Sequence, residues 1–127
     1  ILNNSRFTVI SKDYITDSEI ENAIRDSYAL IKLDSSMTQS GLVAQSMMLG
    51  TPVIANDIIG FSQHISNGLN GFLINLNRSD LNEEFIRILE LCILNKKELK
   101  INSLIQYEKL WSGSSWMSQI GNYIKDK

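Results

Sequence analysis

The period of the apolar positions changes several times along the chain. Phe7-Thr8-Val9-Ile10 is a short β-rich run that predicts a strand. Thr16-Asp17-Ser18-Glu19 has the capping-box pattern, with Thr16 as N-cap and Glu19 reaching back. Ile20, Ala23 and Ile24 follow at helical spacing, so a helix is expected over residues 17–26. Residues 28–33 are mostly apolar, as suits a strand buried on both faces. A polar loop over 34–40 leads into a helix over 41–49, closed by Gly50 as a left-handed cap. Thr51-Pro52-Val53-Ile54-Ala55 is the next buried strand, with Pro52 at its start, where a missing N–H does least harm. A short helical turn is expected over 62–65, turns at Asn67-Gly68 and Asn70-Gly71, and a last strand over 72–74.

After Ser79-Asp80 the period stays helical. Leu81, Phe85, Ile88, Leu89 and Cys92 mark one face of a helix over 80–94. Two more helices are expected over 96–110 and 114–125, separated by Ser112-Gly113-Ser114. Strands alternating with helices imply an α/β fold, a Rossmann-like parallel sheet with helices on both faces and a helical C-terminal segment. Ligands of such sheets bind beyond the carboxyl ends of the strands, which singles out the loop over 34–40.

Composition narrows the chemistry. The chain has 127 residues, 43% hydrophobic and 20% charged, which fits one folded domain and not a disordered segment. Its net charge of −2 offers no basic excess to displace counterions, so no nucleic-acid partner is expected. One Cys excludes an internal disulfide and a Cys-rich zinc site, and one His excludes a multi-histidine metal site. No apolar run is long enough to span a bilayer, and the first residues do not read as a signal peptide, so the cytoplasm is the expected compartment. A chain opening on Ile1 is expected to be a processed or excised piece.

A helix beginning at Ser40-Gly41 offers free backbone N–H groups and a partial positive charge to an anion. Gly41 allows close approach, Ser36, Thr38 and Ser40 add hydroxyls, and Gln45 stands one turn on, where it could bond sugar hydroxyls. Spacing alone leaves two readings open: a phosphate cradle, or hydroxyls that merely cap the helix. No Walker lysine and no G-x-G-x-x-G motif is present.

The run MTQSGLVAQSMMLGTPVIANDIIGFSQHISNGLNGFLI resembles the donor-binding domain of retaining GT-B glycosyltransferases of the family 4 type. Thr38-Gln39-Ser40-Gly41 is similar to one variant of the family's polar loop, and Gly50-Thr51-Pro52-Val53-Ile54-Ala55 to its Gly-x-Pro-Val-Ile-Ala core. Gly60-Phe61, Asn67-Gly68 and Asn70-Gly71 are similar to its downstream turns, and the region from Trp111 to Tyr123 to its closing helix. The resemblance implies a partial C-terminal domain that binds a nucleotide sugar, with a UDP-linked sugar as the expected donor. The acceptor domain, with the family's general catalytic His, would lie outside this chain. It further implies no catalytic residue here, no cofactor and no metal. The donor contacts would be Thr38, Gln39, Ser40, Gly41, Leu42 and Gln45, with backbone N–H groups of Ser40, Gly41 and Leu42 on the diphosphate. The expected acceptor is a saccharide or lipid-linked saccharide of bacterial surface polysaccharide (O-antigen or capsule), reached by peripheral association with the inner face of the cytoplasmic membrane.

Two departures from the family pattern shape the alternatives. Family glutamates fall on Met37 and Gln45, and a third falls on Gln63. Gln45 keeps an acceptor oxygen for ribose without the charge. A non-catalytic homologue is therefore one alternative, and a receiver-like or flavodoxin-like α/β binding module is another. His64 is expected at the surface, Cys92 as a buried inert thiol, and Met47 and Met48 as packing residues. Trp111 and Trp116 are expected to anchor helix packing, and Lys96, Lys97 and Lys100 to form a solvated basic face.

Overall fold

The computed structural model describes residues 9–34 and 41–110. Helix α1 spans Asp17–Arg25 and opens on the expected capping box. The Thr16 hydroxyl accepts from Glu19 N at 3.2 Å, and the Glu19 carboxylate accepts from Thr16 N at 2.8 Å. Lys12 pairs with the same carboxylate, and this contact, more than the bonds from Thr16, holds Glu19 below the usual carboxylate range.

Strands β1 (Leu30–Lys32), β2 (Val53–Asn56) and β3 (Gly71–Ile74) form a parallel sheet in the order β1-β2-β3. Leu30 lies opposite Val53, and Val53 in turn opposite Gly71. Helix α2 (Gly41–Met48) joins β1 to β2, and the short α3 (Ile59–Ser62) lies between β2 and β3. Helices α4 (Leu81–Leu94) and α5 (Lys96–Leu110) follow.

The period of two along β2 divides the core. Val53 and Ala55 pack with Val43 and Met47 of α2, Phe61 of α3 and Ile65. Ile54, on the opposite face, packs with Phe72, Ile74, Ile88, Cys92 and Leu99. Helix α5 serves both layers, because Leu99 belongs to the second cluster and Tyr107 packs against the first. The sheet is thus covered by helices on both faces, the architecture expected of a Rossmann-like α/β fold.

Several boundaries differ from expectation, each for a local reason. Val9 and Ile10 lie outside any strand; Phe7 and Thr8 are not among the described residues. β2 starts at Val53, two residues late, because Pro52 has no N–H and the Thr51 hydroxyl donates to Ile24 O at 2.8 Å. The strand expected over 28–33 is shorter, Leu30–Lys32, and is not buried on both faces, since Ile31 is 48% exposed. β2 is its only strand partner among the described residues. The helical turn expected at 62–65 comes earlier, at Ile59–Ser62, where Phe61 enters the core. The helix expected over 114–125, with Trp116, falls outside the described residues, as does Trp111.

Gly50 does cap α2, with φ +77°. The Lys100 stem lies against it, so that a Cβ on Gly50 would stand 2.7 Å from Lys100 Cγ. Lys96 places its ammonium 4.9 Å from the centre of the Tyr28 ring. The lysines expected as a purely solvated face are therefore in part packing residues.

Cys92 is fully buried, and burial pushes its thiol up to about 11. Little thiolate forms at pH 8, and the sulfur is shielded. A disulfide reagent should therefore modify native Cys92 at least about a hundredfold more slowly than the urea-unfolded chain. Equal rates in the two states would show that the second core cluster is open.

Candidate functional site at the carboxyl ends of the strands

Parallel pairing brings the ends of β1, β2 and β3 to one edge of the sheet. Asp34 follows β1 there, and Lys32 Nζ pairs with its Oδ2 at 3.1 Å. The side chain of Asn56, the last residue of β2, is buried and turned toward β1. It accepts from Asp34 N at 2.9 Å and donates to Asp34 O through Nδ2. One amide thus satisfies both backbone groups of Asp34 and holds the exit of β1 against β2.

Helix α2 begins at Gly41, past this exit. Gly41 is exposed, and an added Cβ would meet nothing within 4 Å among the described residues. The first turn of α2 carries no acidic residue, so no side-chain charge on it offsets the positive end of the helix dipole. Val43, Ser46 and Met47 form the buried face, and the Ser46 hydroxyl donates to Thr51 O at 2.7 Å. Gln45, half-buried, stands one turn beyond Gly41 and off that buried set. Leu42 is half-buried and helps line an apolar groove with Ile15, Ile20 and Leu30, which leaves its backbone as the group that could serve an anion. Of the expected contacts, Gly41, Leu42 and Gln45 therefore lie on the first two turns of one helix, while Thr38, Gln39 and Ser40 lie outside the described residues, as does Met37.

Asn56→Ala should cost about 2 kcal/mol, because two backbone groups of Asp34 lose their partner. The expected readout is a lowered urea midpoint with faster amide exchange at Asp34. An unchanged midpoint would show that the clamp contributes nothing.

His64 is half-buried, not a surface residue as expected. Its carbonyl accepts from Asn70 Nδ2 at 3.0 Å and from Gln106 Nε2 at 3.3 Å. Burial holds its imidazole below the ordinary histidine value, favouring the neutral ring. Gln63 is exposed at the end of α3.

A second feature of this edge carries no obvious sequence signal. A cleft of about 230 Å³ opens between the ends of β2 and β3, lined by Asn56, Asp57, Ile58, Ile74, Asn75, Leu76 and Asn77. Among the described residues, no group of three or more His, Cys, Asp or Glu side chains could hold a metal ion. No helix among them is long and apolar enough to cross a membrane.

Fold and edge together define a parallel α/β domain in which α2, with no acid in its first turn, begins beyond the end of the first described strand. Compared with family models and with curated proteins, the chain matches none of them.

Proposed function

We propose that this chain is the donor-binding part of a retaining GT-B glycosyltransferase. The observation that carries the reading is the start of α2. Gly41, in a Thr-Gln-Ser-Gly sequence similar to that family's loop, opens a helix just past a parallel strand, with no acid in its first turn. A diphosphate there would accept backbone N–H bonds from Ser40, Gly41 and Leu42, favoured by the helix dipole. Gln45 would then bond the ribose hydroxyls through its amide.

In this reading the anomeric carbon of a UDP-linked sugar is presented to an acceptor held by a second domain. The acceptor class is a saccharide or lipid-linked saccharide, at the inner face of the cytoplasmic membrane. The chain holds the donor and supplies no acid or base, so this piece alone is inactive. Gln45 and Gln63 in glutamate positions favour one second reading, a homologue that has lost transfer activity.

Calorimetric titration with UDP tests both. The first reading expects binding by the native chain, tightened by Gln45→Glu through a charge-assisted bond to ribose. Binding by the Glu variant alone favours the degenerate homologue. No binding by either form overturns the donor-site reading.

A further inference from the structure

We propose that the cleft between the carboxyl ends of β2 and β3 holds one neutral sugar ring, bonded by Asp57 and Asn77. The proposal rests on the glycosyltransferase reading for what the ring belongs to, a unit of the saccharide substrate distinct from the nucleotide.

Size is the first argument. The cleft measures about 230 Å³, below the roughly 300 Å³ at which pockets begin to hold drug-sized ligands. That is of the order of a single pyranose ring, and too little to enclose a whole nucleoside diphosphate.

Charge is the second. Among the described residues, the lining contains one carboxylate, Asp57, and no cation. An anion such as phosphate would meet repulsion with no compensating charge. A divalent cation would find one carboxylate, while the amide oxygens of Asn56 and Asn75 already accept from Asp34 N and Asn77 N. A neutral, hydroxyl-rich ligand suits both facts.

The third argument is the mix of groups. Asp57 and Asn77 are exposed, with planar side chains that can bond adjacent hydroxyls. Leu76, which is exposed, and the half-buried Ile58 supply the apolar surface against which the C–H face of a sugar rests. The walls are tied together before any ligand arrives. Asp57 N donates to Ile74 O at 3.0 Å across the two strand ends, and Asn77 N donates to Asn75 Oδ1 at 2.9 Å within the second wall. The backbone of both walls is thus set before binding, and only the two side chains remain to be ordered.

The test is amide NMR of the 127-residue chain, titrated separately with neutral methyl glycosides (glucoside, galactoside, N-acetylglucosaminide), with UDP and with calcium. At least one glycoside should shift amides of residues 56–58 and 75–77. Asp57→Ala and Asn77→Ala should each weaken it about fivefold, with UDP binding unchanged. Both side chains are exposed, so the variants should keep the fold, which their spectra report directly. No shift there with any glycoside, or undiminished affinity in both variants, overturns the proposal. So does calcium moving these amides while every sugar is silent. Sugar shifts here with no response to UDP near Gly41 would sink the donor reading and leave the cleft standing.

Discussion

Gly71→Ala should destabilise the fold by about 3 kcal/mol, the upper end of what overpacking usually costs. A Cβ at this position would stand 2.4 Å from Val53 O and 3.2 Å from Val53 N. Those atoms are backbone, and they belong to β2, which is buried along its whole length. A side chain can swing away from an added methyl, but a central strand packed on both faces cannot. β3 must therefore move off β2, weakening the pairing that begins at Val53 and Gly71. Ile65 Cγ2, at 3.1 Å from the same Cβ, closes the other direction of escape. Urea denaturation measures the effect. Gly41→Ala is the matched control, because a Cβ there meets nothing within 4 Å among the described residues. It should change stability by less than about 1 kcal/mol. In the donor-site reading it should nevertheless weaken UDP binding, since the methyl crowds the diphosphate. If Gly71→Ala unfolds at the native midpoint, the tight approach of β3 to β2 is wrong.

What could be read from the residues alone was what local chemistry decides. The Thr16 and Glu19 capping box involves partners three residues apart, so its pattern is visible in a short window. Gly50 after an apolar helix is a similar signal, and its positive φ follows from needing no Cβ. The alternation of Val53, Ile54 and Ala55 between two clusters follows from strand period once a parallel sheet is inferred. Long-range partners decide the rest. Thr51 looks like a strand residue until its hydroxyl is seen to reach Ile24, on α1. Ile31 looks buried on both faces, but the strand it belongs to pairs on one side only among the described residues.

The candidate site divides in the same way. The helix start at Gly41 was legible from a polar loop, a glycine and an apolar run. Asn56 was not, because an asparagine closing a strand reads as the first residue of a turn. Its task is to satisfy the backbone of Asp34, which is distant in sequence. Asp57 and Asn77 lie apart in the chain and share a cleft only because β2 and β3 pair in register. His64 was expected at the surface because it matches no fixed position of the resembling family, yet it is half-buried and its backbone carbonyl accepts from two side-chain amides.

Asn70→Ala should cost about 3 kcal/mol, although Asn70-Gly71 reads as an ordinary surface turn. Asn70 is 1% exposed. Its Oδ1 accepts from Ser66 N at 2.7 Å, and its Nδ2 donates to His64 O at 3.0 Å. Nδ2 also lies 3.8 Å from Met47 Sδ, so the amide is packed as well as bonded. Truncation takes the acceptor from Ser66 N and opens a cavity beside Met47. His64 O is the less affected group, because Gln106 still reaches it. Asn70→Asp separates bonding from packing. It keeps the volume and an oxygen for Ser66 N, but it points a carboxylate oxygen at His64 O. Only the protonated acid can donate there, so the folded-state pKa of the new carboxyl should rise above its unfolded value of about 3.9. By linkage, the stability of the Asp variant is greatest below that value and is lost as pH rises through the raised folded pKa. Urea midpoints at pH 4 and pH 7 should therefore show the Asp variant falling further behind the native chain at the higher pH. The Ala variant should trail by a similar margin at both. An Asp variant as stable as the native chain at pH 7 would show that Asn70 does not donate to His64 O, and the turn leading into β3 would need a different account.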